Sequence, residues 1–268
     1  MGRIDTSRHF GNESSILDSL RFLPRSQIMF YQQSCPDEHP ELVDRFLSIY
    51  RNVDDWIDSS GKSDPTPDFF NPTSGVMLEV MRVDDHAFES DGKIINKTAA
   101  SEGKMFSDAV SQGVLDEYPN AYIITIGDSG KPTLEDHNFQ RYRDNFKRVV
   151  REHLSKTPTY RANHPECPFL AFLIYDESCA YFESAIPDPV IKKDLVSIGR
   201  PHFFALDPAF FEIFQNSDVD CVIWFAPYKL FLGIPMEYQL PKAVVYFNSL
   251  NFDVSLTYDE KRMFPVEE

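Results

Sequence analysis

What this chain has least of is positive charge: 26 Lys and Arg stand against 42 Asp and Glu, a formal net charge of −16. Most of such a surface repels a polyanion. That excludes broad, non-specific nucleic-acid binding and leaves a local basic groove, or a divalent cation bridging two anionic partners. Paired cysteines are missing too. Cys35, Cys167, Cys179 and Cys221 are scattered with no C-x-x-C spacing, and His164, just before Cys167, has no second such pair to complete a zinc site. They read as reduced, mostly buried thiols of a protein expected to be cytoplasmic. Apolar runs such as Phe169–Tyr175 fall far short of a membrane span, and no signal peptide is read before them. Met1-Gly2-Arg3-Ile4-Asp5-Thr6 fits a myristoylation pattern only formally, given Arg3 and Asp5, and the sequons at Asn12 and Asn96 mean nothing without secretion. A phosphate-binding loop is also lacking. Gly61-Lys62-Ser63 has Trp56 where the earlier glycine belongs and follows a helical pattern, which excludes nucleotide hydrolysis.

What is present is a core. The 268 residues are 42% hydrophobic and include 23 Phe and 12 Tyr, far too apolar for disorder. Residues 1–13 are polar and expected to be flexible. A short helix is expected over Ser14–Phe22 and a strand over Gln27–Gln32. An amphipathic helix follows over Pro40–Ser59, with Val43, Phe46, Leu47, Tyr50, Val53, Trp56 and Ile57 at three- and four-residue steps. Helices are expected over Ala99–Glu117, Leu134–Lys156 and Pro208–Gln215. Strands are expected over Lys93–Asn96, Ala121–Gly127, Pro168–Tyr175, Cys221–Pro227, Ala243–Asn248 and Phe252–Tyr258. Alternating helices and strands imply a single α/β domain, a mixed β-sheet flanked by helices with a β-rich C-terminal extension.

The chain is organised around Pro67–His86. Two strands, Pro67–Phe70 and Val76–Val83, flank the turn residues Asn71-Pro72-Thr73-Ser74-Gly75. Side chains alternate along a strand, so Val76, Leu78 and Val80 share one face and Met77, Glu79, Met81 and Val83 the other. A carboxylate at the centre of an apolar strand is costly unless a cation, a proton or hydrogen bonds neutralise it.

Pro67-Asp68 and, ten residues on, Glu79-Val80-Met81 resemble the motif of the restriction-endonuclease-like (PD-(D/E)XK) nuclease superfamily. The order of elements over residues 40–130 is similar too: a helix, two strands, a helix and a strand. The resemblance implies Mg²⁺-dependent phosphodiester hydrolysis with Asp68 and Glu79 as metal ligands, to which Glu41 or Asp44 could add. Hard carboxylate oxygens suit Mg²⁺, which keeps most of its waters. Met81 stands at the family's lysine position and can neither take a proton nor neutralise a phosphate. Arg82 points to the other face, so Lys104 is the substitute. The family's usual strand between the first helix and the hairpin is not read here.

Asp84-Asp85-His86 could supply a metal ligand or a base, or simply end the strand, and Asp85 is out of Glu79's reach unless the chain bends. Asp128 and Asp176-Glu177 follow apolar strands, where ligands often bind, though such acids are usually loop residues. Arg141, Lys147, Arg148 and Arg151 share one side of Leu134–Lys156, a stripe able to track phosphates but interleaved with acids. His137, His153 and His202 sit singly and read as core or surface residues. The rival to a nuclease is a non-enzymatic acidic protein that binds a basic partner or mimics nucleic acid.

Overall fold

The computed structural model describes residues 13–31, 35–51, 55–61, 66–85, 138–185, 199–229, 239–250 and 256–265. The expected elements Lys93–Asn96, Ala99–Glu117 and Ala121–Gly127, together with His86, Lys104, Asp128 and His137, lie outside the described residues. So does most of Phe252–Tyr258, whose last three residues carry no strand.

The chain forms a mixed α/β fold around a seven-stranded sheet of order β1-β9-β8-β5-β4-β3-β2. Its strands are β1 (Ile28–Phe30), β2 (Ile57–Asp58), β3 (Phe69–Asn71), β4 (Val76–Val83), β5 (Phe169–Asp176), β8 (Cys221–Phe225) and β9 (Ala243–Phe247). β2, β3 and β4 run as an antiparallel meander, whereas β5 pairs parallel with both β4 and β8. The sequence read β8 and β9 as a C-terminal extension; they are strands of this sheet. A smaller sheet joins β6 (Tyr181–Ser184), β7 (Gly199–Pro201) and β10 (Met263–Pro265).

β5 is apolar on both faces because helices cover both. On one side α1 (Glu13–Arg21) and α3 (Pro40–Arg51), the latter preceded by the short α2 (Cys35–Glu38), bury Leu17, Leu20, Phe46 and Ile49 against Leu78, Val80 and Leu173. On the other, α4 (Phe139–Leu154), α5 (Thr157–Asn163) and α6 (Pro208–Phe211) pack aromatic side chains on Met77, Met81, Phe172 and Trp224. Phe204 stacks on Trp224 with ring centroids 3.9 Å apart. Phe146, at the centre of α4, lies 5.0 Å from the same ring. The alternation read along Val76–Val83 is the alternation observed, since neighbouring residues go to opposite layers.

The amphipathic helix stops at Arg51, eight residues short of the expected end, and Trp56 and Ile57 leave it. The backbone N–H of Ser60 donates to the Asp58 carboxylate at 2.9 Å, and Gly61 takes φ 72°, so the chain turns here. Ile57 pairs with Phe70 instead, and β2 is the strand that the sequence reading did not find between helix and hairpin.

The β3–β4 turn is closed by Gly75 N–H on the Asn71 carbonyl at 2.9 Å and by Ser74 N–H on the Asn71 side chain at 3.0 Å. Gly75 has φ 68°, and a Cβ there would meet Arg45 Nη1 at 3.2 Å. Gly75→Ala is expected to cost about 1–2 kcal/mol, read as a lower urea midpoint with an unchanged slope; no loss would mean that the turn relaxes freely.

Candidate functional site

Glu79 lies at the middle of β4 and faces α4, where it is 3% exposed. Antiparallel register pairs Phe69 with Leu78, which sets Asp68 opposite Glu79 one rung further along. The two acids interlock there. Asp68 N–H donates to Glu79 Oε2 at 3.2 Å, and Val80 N–H donates to Asp68 Oδ2 at 2.8 Å. The Asp68 carboxyl is pushed up from its ordinary 3.8 to about 7, first by burial and then by the charge of Glu79; the Val80 N–H and the positive charge of Lys156 oppose this. The buried Glu79 beside the half-buried Asp68 calls for a proton or a cation.

Two further side chains reach this rung from the helices. His153 is three residues beyond Val150 on the inward face of α4, and its Nδ1 lies 2.6 Å from Glu79 Oε1. After Ser155 and Lys156 the chain re-enters a helix at α5, which Pro158 helps to start. Tyr160 in α5 donates its hydroxyl to the same Oε1 at 2.8 Å. Burial and the Glu79 charge hold the Tyr160 phenol far above its ordinary range, so it is a permanent donor. Lys156 pairs with Glu152 at 3.5 Å and stays partly exposed at the rim.

The structure thus brings Asp68 and Glu79 together and adds His153, Tyr160 and Lys156, none of which the sequence placed at this site. A signal for His153 existed: it falls on the inward stripe of a helix, and Glu79 falls on the inward face of a strand. Two isolated buried polar groups on elements that cover one another are natural partners. Glu41 and Asp44 are exposed on α3, on the far face of the sheet from Glu79. Asp85 belongs elsewhere, accepting from Tyr181 Oη at 2.5 Å and Cys179 N–H at 3.1 Å. Arg82 makes a two-pronged pair with Glu177 at 2.8 and 2.7 Å. Asp176 is fully enclosed by Tyr142, Trp224, Ser178 and Lys229. His202 is a core residue bonded to Asp207 at 3.0 Å. Arg141, Arg148 and Arg151 are exposed on α4 and Lys147 is half-buried; at 100° per residue all four lie well round the helix from His153.

Cys167, Cys179 and Cys221 are buried thiols outside any disulfide. Among the described residues no group of three or more His, Cys, Asp or Glu is placed to hold a metal ion, and no helix is long and apolar enough to cross a membrane. A cavity of about 240 Å³, lined by Tyr31, Leu206, Phe211 and Tyr246 among others, contains neither Asp68 nor Glu79. No protein-family model matches the chain, and no curated protein or solved structure matches it.

Proposed function

We propose that Asp68 and Glu79 hold a divalent cation, Mg²⁺ by the chemistry of their oxygens, and that the protein is a cation-dependent phosphodiester hydrolase with a nuclease-like core. The observation that carries this is the meeting of the buried Glu79 carboxylate with the half-buried Asp68 carboxylate on one rung, where the charge of Glu79 adds to the cost of charging Asp68. Mg²⁺ is commonly held by one or two carboxylates together with waters and substrate phosphate oxygens, so two acids suffice. The order α3, β3, β4 is consistent with the same reading. Of the helix, two strands, helix and strand of the resemblance, the described residues hold the first helix, α3, and the two strands, β3 and β4, while Ala99–Glu117 and Ala121–Gly127 lie outside them.

Asp68 and Glu79 would hold such a cation, which would supply polarisation of a phosphoryl oxygen and a more acidic coordinated water. The chain's own residues do the rest. Asp68 and Glu79 fix the position, while Met81, on the same face as Glu79, contributes only apolar packing. The phosphate-neutralising charge first assigned to Lys104 is assigned to Lys156, whose ammonium is felt at Asp68. A local basic stripe on α4 offers contacts further along a nucleic acid. The rival, a silent acidic protein that binds a basic partner, is favoured by the net charge of −16 and by the three hydrogen bonds that Glu79 already accepts.

The deciding experiment is cleavage of supercoiled plasmid, linear DNA and RNA in Mg²⁺ and in Mn²⁺. Asp68→Ala and Glu79→Ala should each lower the rate by more than about 100-fold, beyond the usual effect of losing an outer partner of a metal ligand. Cutting that survives in both variants places the activity elsewhere. No cutting by a folded wild-type chain favours the acidic interaction protein.

A further inference from the structure

We propose that Tyr160 and His153 are positioning residues for the cation: together they immobilise Glu79 through Oε1, leaving Oε2 as the oxygen presented beside Asp68. This rests on the cation reading above. Three donors surround the Glu79 carboxylate, and they are not distributed evenly. Tyr160 Oη at 2.8 Å and His153 Nδ1 at 2.6 Å both converge on Oε1, whereas Oε2 receives only the longer bond from Asp68 N–H at 3.2 Å. A Glu side chain on a strand has three rotatable bonds, and freezing them on cation binding opposes affinity. Here they are frozen beforehand by groups from two consecutive helices.

The arrangement is specific to this backbone. His153 ends the inward stripe of α4, and the short break at Ser155-Lys156 turns the chain so that Tyr160, seven residues on, returns to the same oxygen. Tyr160 is 1% exposed and Glu79 3%, so water does not stand in for the bond between them. Hydrogen bonds to the oxygens of a ligating carboxylate orient it, and their loss costs cation affinity even though the ligand itself remains. The hydroxyl of Tyr160 is dispensable for packing, because the ring remains among the apolar residues under α4.

The test is Mn²⁺ binding to the full chain by calorimetry, with the thermal midpoint of the cation-free protein measured alongside. Tyr160→Phe and His153→Ala are each expected to weaken Mn²⁺ binding about 10- to 100-fold. His153→Asn, whose amide nitrogen replaces Nδ1 as a donor, is expected to restore most of the affinity. A merely structural role would lower the thermal midpoint of the variants and leave their Mn²⁺ affinity at the wild-type value, and that result overturns the inference while leaving the cation site standing. A folded wild-type chain with no Mn²⁺ binding, equal to Asp68→Ala, overturns the cation reading and this inference with it.

Discussion

Lys229→Met is expected to remove about 3–5 kcal/mol of stability, the largest effect of any substitution considered for a single charged side chain in this protein. Lys229 is 9% exposed at its side chain and Asp176 is wholly buried, with Nζ 2.8 Å from Oδ2. The ammonium also lies 4.4 Å from the centre of the Tyr142 ring. Methionine keeps the length of the side chain and deletes the charge, so the buried carboxylate loses its only cation among the described residues. Asp176 retains its bonds from Tyr142 at 2.6 Å, Trp224 at 2.8 Å, and Ser178 N–H and Oγ at 3.0 and 2.7 Å. Those donors set the expected loss towards the lower end of the range. Adding Asp176→Asn to Lys229→Met removes the orphaned charge and should recover at least half of it. Urea unfolding of the single and double variants checks this. A loss under about 1 kcal/mol in Lys229→Met would show that neutral donors alone satisfy Asp176. The consequence reaches the candidate site, because Tyr142 ties the first half of α4 to this network and His153 ends the same helix.

Asp68→Asn should behave in the opposite sense and make the cation-free protein more stable at about pH 8. The sign follows from where the proton sits. The folded chain keeps Asp68 protonated up to about pH 7, while the unfolded chain releases that proton near 3.8. Between these values the folded state binds the extra proton, so stability falls as pH rises through the window, and the penalty is complete above it. For a fully buried group the displacement would be worth about 4 kcal/mol. Asp68 is partly exposed, and water reaching it reduces the figure to about 1–3 kcal/mol. Asparagine has no charge to bury and keeps an oxygen for Val80 N–H. In chelator, the gap between the variant and the wild type should therefore be largest near pH 8 and close towards pH 4. A gap that does not change with pH would mean that Asp68 ionises normally and that the two acids do not crowd one another. Millimolar Mn²⁺ should narrow the gap at pH 8 by stabilising the wild type alone, a mass-action effect on the folded state.

Local pattern was enough to find many of the elements that carry the site. The run Val76–Val83 came out of the sequence with its observed bounds, because β-branched and long apolar residues in alternation suit a strand covered on both faces. The inward side of α4, read as Phe139, Tyr142, Phe146, Val149, Val150 and His153, was legible from its three- and four-residue spacing. Where local pattern failed, tertiary pairing had overridden it. Trp56 and Ile57 continue the helical spacing of α3, yet Ile57 pairs with Phe70. Strands Cys221–Phe225 and Ala243–Phe247 read correctly as strands, but nothing in their composition says that they extend the same sheet.

Residue identity and spacing alone settled that a carboxylate would sit on an apolar strand, that Asp68 would stand near the start of the partner strand, and that a methionine follows Glu79 by two positions. These follow from residue identity and from periods of two and 3.6, which act over a few residues. Only the tertiary structure decided what surrounds the pair. The register of β3 on β4 sets the two acids on one rung. Parallel pairing of Glu79 with Phe172, 93 positions further along the chain, lays β5 beside β4, with α4 and α5 packed over the sheet. Those helices deliver His153 and Tyr160 to one oxygen. The physical reason is that such contacts are selected by burial and register of whole elements, and an isolated His or Tyr carries no local trace of the partner it will meet.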